Sequence, residues 1–375
     1  MTTRIAVVGG GIAGASAAFY LSKGDSDTEV ILFEAEKHLA MHTTGRSAAL
    51  LLENDGTQSI RSLVKASVEF LRNPPEDLTD VPVVVPREVI HIGDHTQNEA
   101  VDRLLMSNQL STTPSIEIST REAKKKFPAL REQTLERAVL DAGAGDIDVH
   151  GLHQVYIRGL RKSGGRVEVS HRVDAVIADG SGWRIETNSG DCSADVIVNA
   201  AGAWGDLVAK RAGIESVALQ PCRRTAFNVN SPSQSSSGWA MVIDVDMNFY
   251  IKPDGSQLLC SLAEEKSSEP CDARPEEADV ALAIDRINEA TTLNIRSVNS
   301  SWTGLRTFTP DRSMVIGPEP ECPSFVWCVG QGGTGIMTSP GAGKLVADLI
   351  LQGSPSNHFS NTGLKISDIL PDRFR

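Results

Sequence analysis

The stretch Arg4-Ile5-Ala6-Val7-Val8-Gly9-Gly10-Gly11-Ile12-Ala13-Gly14-Ala15-Ser16-Ala17-Ala18-Phe19-Tyr20-Leu21 decides the fold. Its first five residues are a short β-branched apolar run, its last seven an Ala-rich helical segment, and a glycine turn joins them. Strand, glycine turn and helix in that order cradle a dinucleotide. Gly9 allows the tight turn, Gly11 lets a pyrophosphate approach the backbone, and Gly14 lets the helix pack closely on the strand. A second apolar run, Glu29 to Phe33, ends in Glu34, twenty residues after Gly14. A carboxylate there accepts hydrogen bonds from both ribose hydroxyls and repels a 2′-phosphate. The motif by itself leaves FAD and NAD both open.

Around this motif lie 375 residues, 40% hydrophobic and 22% charged, enough for a large core and for two domains. A disordered chain and a disulfide miniprotein are excluded. Lys and Arg number 36 against 48 Asp and Glu, and the net charge of −12 argues against nucleic acid as a partner. Six cysteines, at 192, 222, 260, 271, 322 and 328, include no CxxC pair, so free thiols in a reducing compartment and no metal site are expected. The apolar stretch Ile5 to Leu21 is broken by four glycines and is too short to span a bilayer, and no 18-residue apolar run occurs elsewhere. The expectation is a cytoplasmic protein without a transmembrane segment.

Beyond Glu34, His42-Thr43-Thr44-Gly45-Arg46-Ser47-Ala48-Ala49 is small and hydroxyl-rich, suited to laying N–H groups and hydroxyls along a cofactor. Thr57 to Leu71 reads as an amphipathic helix stopped by Asn73-Pro74-Pro75. Val81 to Ile92 reads as strands, with Pro82 and Pro86 placing them at sheet edges. Glu99 to Leu110 and Ser119 to Lys126 read as helices, the second opening on the capping pattern Ser119-x-x-Glu122. Asp148 is the expected N-cap of a helix from His150 to Lys162, closed by Gly164-Gly165. Strands follow at Arg166–Val169, Val173–Ala178 and Trp183–Thr187. Asp195 to Trp204 then reads as a buried strand whose small residues, Ala200-Ala201-Gly202-Ala203, suit an end abutting a ligand. Leu219–Val229, Gly238–Asp246, Phe249–Pro253 and Gln257–Leu262 form an antiparallel set. Glu276 to Ala290 is a helix, Ser301 to Asp311 a strand closed by a Pro-Asp turn, and Val315–Gly317 and Phe325–Val329 are buried strands. The loop Gly330-Gln331-Gly332-Gly333-Thr334-Gly335-Ile336 opens onto a helix expected from about Ser339 to Leu351.

From residue 4 to about 350 this pattern resembles the D-amino-acid oxidase superfamily of FAD enzymes. Its carriers are GGGIAG with Glu34, HTTGRSAA, GAGDID before a helix, VIVNAAGAW, WTGLRTFTPD and GQGGTGIMTSP. Within the superfamily the D-arginine dehydrogenase group looks similar in HTTGRSAA, LQPCRRTAF, FYIKPD and EATTLNIR. The resemblance implies an α/β architecture: a Rossmann-like, glutathione-reductase-type FAD domain from 1–80, 142–215 and 308–375, and a mostly antiparallel β-sheet substrate domain from 81–141 and 216–307. It implies noncovalent FAD with its pyrophosphate at Gly9, Gly11, Ile12, Ala13 and Gly14, ribose at Glu34 and Ala35, and adenine edge at Val173. The flavin would run along Thr43, Thr44, Gly45, Arg46, Ser47 and Ala49. Further cofactor contacts are implied at Ala200, Ala201, Gly202 and Trp204, at Gly304 and Arg306, and at Gly332, Gly333, Thr334, Gly335 and Ile336. A helix opening just beyond would aim its positive end at the flavin.

On the substrate side the resemblance implies that Arg224, Arg306 and Tyr250 clamp a carboxylate, with Gly333 facing the flavin. Forked guanidinium donors and a phenol suit two carboxylate oxygens. Glu88 falls where enzymes of basic D-amino acids place a carboxylate for a cationic side chain. The sequence departs from that group at Leu50 and Asp55, where the group has a His and a Tyr. The expected reaction is hydride transfer from the α-carbon of a D-amino acid, basic ones included, to flavin, with the imine then hydrolysed to a 2-oxo acid and ammonia. One alternative is oxidation of a secondary amine, such as an N-methylated amino acid or an aminophosphonate. Another is a noncatalytic FAD-binding subunit of an oxidase complex, and a third is an NAD-linked Rossmann dehydrogenase, which leaves VNAAGAW and GQGGTGIM unexplained. O2, a quinone or another protein could each accept the electrons.

Overall fold

The computed structural model describes residues 2–24, 27–108 and 113–375, with backbone alone at 234 and 235. The opening motif folds as read. Strand Thr3–Val8 turns through the glycines into helix Ile12–Leu21, nine of whose ten residues are buried. A helix so uniformly apolar must be covered on all sides. One side lies on a six-stranded sheet and the other against helix Gly335–Leu351. The sheet order is Val315–Glu319, Cys322–Val329, Val196–Asn199, Thr3–Val8, Thr28–Phe33 and Arg166–Glu168. All neighbours are parallel except the first pair, and Val8 stands level with Phe33 and Asn199. The carboxyl ends of the parallel strands therefore line up at one edge, where open α/β sheets bind ligands. The meander Val173–Asp179, Gly182–Thr187, Gly190–Ala194 packs beside it as a separate sheet.

A second, nine-stranded sheet is antiparallel apart from Val89–Gly93, which runs parallel to Met241–Asp244. It carries Gln220–Asn230, Tyr250–Asp254, Gln257–Ser261 and Ser300–Phe308. One face is covered by helices Thr120–Lys126 and Glu277–Ala290 over a core including Phe127, Phe227 and Ile287. The other face carries a smaller apolar cluster with Val89, Met241 and Tyr250, and it closes the cleft. Strands Leu50–Leu51, Gly145–Ile147 and Val84–Pro86 make a third small sheet between the two large ones.

Local signals hold where side chains cap backbone. Ser119 and Glu122 form the reciprocal capping box, and Asp148 accepts the Gly151 N–H at 2.9 Å. Two expectations need correction, and a third runs beyond the described residues. Pro82 and Pro86 imply edge strands, and Val84–Pro86 is one, but Val89–Gly93 lies inside the large sheet. The helix expected from Glu99 to Leu110 is seen as Asn98–Asn108, and Leu110 lies outside the described residues. The last helix begins at Gly335, four residues before Ser339, with Pro340 inside it. Pro340 reads as a helix start, yet it is tolerated because Ser67 Oγ accepts the Gly341 N–H at 2.9 Å, and the Thr338 hydroxyl returns to the Thr334 carbonyl at 2.8 Å. All six cysteines are free, and no described helix is long and apolar enough to cross a membrane.

Candidate active site

The glycine turn is shaped by close approach. Gly9 has φ 114°, and a Cβ on it would sit 2.4 Å from the Ala200 carbonyl oxygen. A Cβ on Gly14 would sit 1.9 Å from the Gly9 carbonyl oxygen, so the helix meets the strand with no room for a side chain. Gly14 packs behind the turn, while Gly9, Gly11, Ile12 and Ala13 line the cleft itself. Glu34 is oriented by two donors, Gly10 N–H to Oε2 and Glu36 N–H to Oε1, both at 2.9 Å. Each oxygen keeps a lone pair for a ribose hydroxyl, and burial raises the carboxyl's pKa.

From Glu34 and Ala35 a cavity of about 430 Å³ runs past Val173, Ala200, Ala201, Gly202 and Trp204 to Thr43 and Thr44. It is lined also by His42, which opens the hydroxyl-rich stretch, and by residues that the sequence does not single out: His171, Arg172 and Arg211. Arg211 donates to the Val173 carbonyl, and His42 lies on Trp204 with ring centroids 4.8 Å apart. These are long-range partners of a polar surface, and their spacing in the chain carries no signal. The cavity has the length, the acid and the small-residue wall that an adenosine diphosphate moiety needs.

It continues into a second chamber between the two large sheets. Here Thr43, Thr44, Arg46, Ser47, Gly304, Gly332, Gly333, Gly335 and Ile336 are joined by Arg224, Arg306 and Tyr250. The segment Thr43 to Ala49 is fastened at both ends. Thr44 Oγ1 accepts the Ile12 N–H at 3.0 Å, Thr43 Oγ1 donates to the Leu305 carbonyl at 2.7 Å, and Trp302 Nε1 donates to the Arg46 carbonyl at 3.1 Å. Arg46 turns its guanidinium from the cleft to the Thr303 carbonyl at 2.8 Å and to Asp272 at 2.5 Å. Lys252, buried, donates to the Ala48 carbonyl at 2.6 Å and pairs with Asp146, which also binds Arg87 at 2.8 Å. Ala49 follows with φ 38° and faces the outer part of the chamber.

Register explains how three distant residues share a face. Cys222 pairs with Arg306 and Arg224 with Gly304, so both arginines lie on the same side of adjacent strands, offset by one pair. Ala226 stands opposite Ser261, which in turn stands opposite Tyr250, and this puts Tyr250 on that side too. Arg224 is 7% exposed; its Nη2 lies 3.1 Å from Glu265, and its Nε and Nη1 have no partner. Burial and then the nearby Arg306 push its pKa down to about 10, so it stays charged at neutral pH. The Arg306 side chain makes no hydrogen bond or ion pair to the protein among the described residues, and its guanidinium rests on Gly333, where a Cβ would come within 2.8 Å of Nη1. Two cationic forks with free donors define an anion site.

The glycine loop forms the far wall. The Gly332 N–H donates to the Thr307 carbonyl at 2.8 Å, and Gln331 binds the Cys328 carbonyl at 2.8 Å. Because the helix starts at Gly335, its first-turn N–H groups open directly on the chamber. Thr334 caps inward on Gln331 and does not line the cleft. Gly45, between Thr44 and Arg46 that line the chamber, itself lines a groove on the other side beside His150 and His153.

Glu88 also needs correction. Val89 belongs to the cluster facing the cleft and Ile90 to the core on the opposite face, so Glu88 shares the parity of Ile90. Its carboxylate is held there by Lys126 at 2.6 and 2.7 Å and does not line the cleft. Outward of the clamp the chamber is walled by Leu50, Leu52, Met241, Ile243, Met337 and Ile336, and it reaches solvent at Asp55 and Met247. Among the described residues no cluster of His, Cys, Asp or Glu is arranged to hold a metal.

Comparison with known proteins agrees with this geometry. The chain is 25% identical to glycine oxidase of Bacillus licheniformis over 93% of each chain. It is 23% identical to human mitochondrial dimethylglycine dehydrogenase, covering 93% of this chain and 42% of that one, so it spans less than half of that relative's length. The crystal structure of L-proline dehydrogenase from P. horikoshii superposes with a TM-score of 0.87 at 21% identity, over 100% of this chain and 98% of that one, which shows the fold. None of the three names a basic D-amino acid, so the narrower likeness to the D-arginine dehydrogenase group gains no support from them. Residues 4–349 match the family model described as DAO, FAD dependent oxidoreductase, and the chain belongs to that FAD-dependent family.

Proposed function

We propose that this protein oxidises a small amino acid at a C–H bond next to nitrogen, with N-substituted amino acids as the preferred class. The observation that carries the reading is Arg224: a buried guanidinium with two unpartnered donors, beside the uncommitted Arg306 and Tyr250, in the chamber that continues the dinucleotide cleft. The apolar wall beyond the clamp supports an N-alkyl or short side chain, and the outward turn of Glu88 removes the acid that would have received a guanidinium. The names of the relatives, glycine oxidase, dimethylglycine dehydrogenase and L-proline dehydrogenase, support small and N-substituted substrates over basic ones.

Gly9 to Ala13, Glu34 and the segment Thr43 to Ser47 would hold FAD, whose flavin ring supplies the acceptor for a hydride equivalent. Arg224 and Arg306 fix the substrate carboxylate by forked bonds, and Tyr250 offers a hydroxyl at the same face. That orientation is the protein's main contribution, because it converts an encounter into a held geometry. Among the described residues, Asp55 at the solvent mouth is the one acid lining the chamber, and the inner part is lined by no His, Asp, Glu or Lys. The substrate therefore reacts as its neutral amine, having released its proton to solvent on entry. The first-turn N–H groups of Gly335–Leu351 favour negative charge at their end of the chamber.

The test is anaerobic bleaching of the FAD-loaded protein by glycine, N-methylglycine, N,N-dimethylglycine, L-proline and D-arginine, with formaldehyde and ammonia assayed in the products. Bleaching by the N-substituted compounds is expected. Bleaching by D-arginine alone would move the assignment to oxidative deamination of basic D-amino acids. A yellow protein bleached by no amine would make it a noncatalytic FAD-binding subunit.

A further inference from the structure

Behind the clamp, the turn after Gln257–Ser261 carries Glu264 and Glu265, with Ala263 at φ 59° bending it against the strand that holds Arg224. Glu264 takes the Thr225 N–H on one oxygen, leaves the other unpartnered, and has its pKa raised by burial. Glu265 is different: it has two arginine partners. Its Oε1 lies 3.1 Å from Arg224 Nη2, and its two oxygens lie 3.1 and 3.0 Å from Arg312 Nη2. Arg312 is 54% exposed at its side chain and sits 3.9 Å from the centre of the Phe308 ring. A ladder of alternating charge thus runs from the surface, Arg312 to Glu265 to Arg224, and ends at a residue that lines the chamber and whose Nε and Nη1 are buried without a partner.

Resting on the carboxylate-clamp reading above, we infer that Glu265 is a specificity-determining residue that sets how much negative charge the chamber accepts. Two unopposed guanidinium groups, Arg224 and Arg306, would favour a dianion. Glu265, whose own side chain is 34% exposed, offsets one of them across the buried Arg224 side chain, whereas Arg312, 54% exposed and farther from the chamber, is screened more and counts for less. The chamber is left matched to a single carboxylate, and a ligand with two anionic groups meets the field of Glu265 through Arg224.

The experiment titrates the FAD-loaded protein with acetate and with malonate, following the visible flavin spectrum, in the wild type, Glu265→Gln and Arg312→Gln. Glu265→Gln is expected to shift the malonate-to-acetate affinity ratio about tenfold toward malonate, the order set by one unit charge acting across a guanidinium at an effective dielectric near 20. Arg312→Gln, which leaves Glu265 to Arg224 alone, shifts the ratio the other way. An unchanged ratio in Glu265→Gln with both anions still bound overturns the inference, and so does an equal loss of both, which would make Glu265 only a support for Arg224. If Glu265→Gln fails to hold FAD, Arg312→Gln carries the test, and an unchanged ratio there is the overturning result. A wild-type protein that binds neither anion refutes the clamp itself, an outcome distinct from the failure of Glu265 alone.

Discussion

Replacing Arg224 by Met separates what this side chain does for function from what it costs the fold. Its two unpartnered donors can each make a charge-assisted hydrogen bond worth about 1.5–3 kcal/mol to a carboxylate. Losing both removes about 3–6 kcal/mol, which at about 1.4 kcal/mol per factor of ten lowers kcat/KM by about 100- to 20,000-fold. Stability moves the other way. Burial and Arg306 hold the pKa near 10, below the ordinary arginine value, a displacement of about 3 kcal/mol against the charged form. A folded-state pKa below the unfolded one means the fold binds the proton less tightly, so the cost is present at every pH below about 10. Met fills similar volume without charge, and Glu265 keeps its bonds to Arg312. We therefore expect the FAD-loaded, substrate-free variant to melt about 2–5 °C higher, read from flavin fluorescence during heating. A variant with kcat/KM within tenfold of wild type refutes the clamp. A variant that melts lower and sheds FAD shows instead that Arg224 is a structural strut.

Three further outcomes follow from the same geometry. The KM for a carboxylate substrate is expected to rise above about pH 10, as Arg224 loses its proton, while kcat/KM climbs at lower pH as the substrate amine deprotonates; a KM flat to pH 11 contradicts this. Gly333→Ala places a methyl 2.8 Å from Arg306 Nη1, the end of a flexible side chain, so FAD and the melting temperature are kept while kcat/KM falls about 10- to 100-fold; loss of FAD would show that the contact is not with Arg306. Lys252→Met leaves the Ala48 carbonyl and one face of Asp146 unpaired, at a cost of about 2–4 kcal/mol, and should weaken FAD binding measurably by equilibrium dialysis, with Lys252→Arg restoring part of it.

The sequence is most informative where structure is local. Strand, glycine turn and helix occupy consecutive residues, and Glu34 ends the next strand, so steric demands that act within a few residues make the dinucleotide cleft legible. The caps at Ser119 and Asp148 are legible for the same reason. Gly190–Ala194 escapes notice because Gly-Asp-Cys-Ser-Ala has little strand propensity and is held by its hairpin neighbour. Glu88 misleads because a strand's composition does not say which parity faces the ligand, and only pairing with Met241–Asp244 decides it. Lys252 and Glu265 give no signal at all. Their partners, Ala48 and Arg224, lie 204 and 41 residues away, and an ion pair leaves no trace in either neighbourhood.

The double fastening of Thr43 to Ala49 has a mechanical consequence. Parting the two large sheets would break the bonds from Thr43, Arg46, Trp302 and Lys252 together, on top of whatever the cofactor itself holds. Such a seam does not work as a jaw. On the proposed function, the mouth at Asp55 and Met247, where the chamber reaches solvent, is then the way in for substrate.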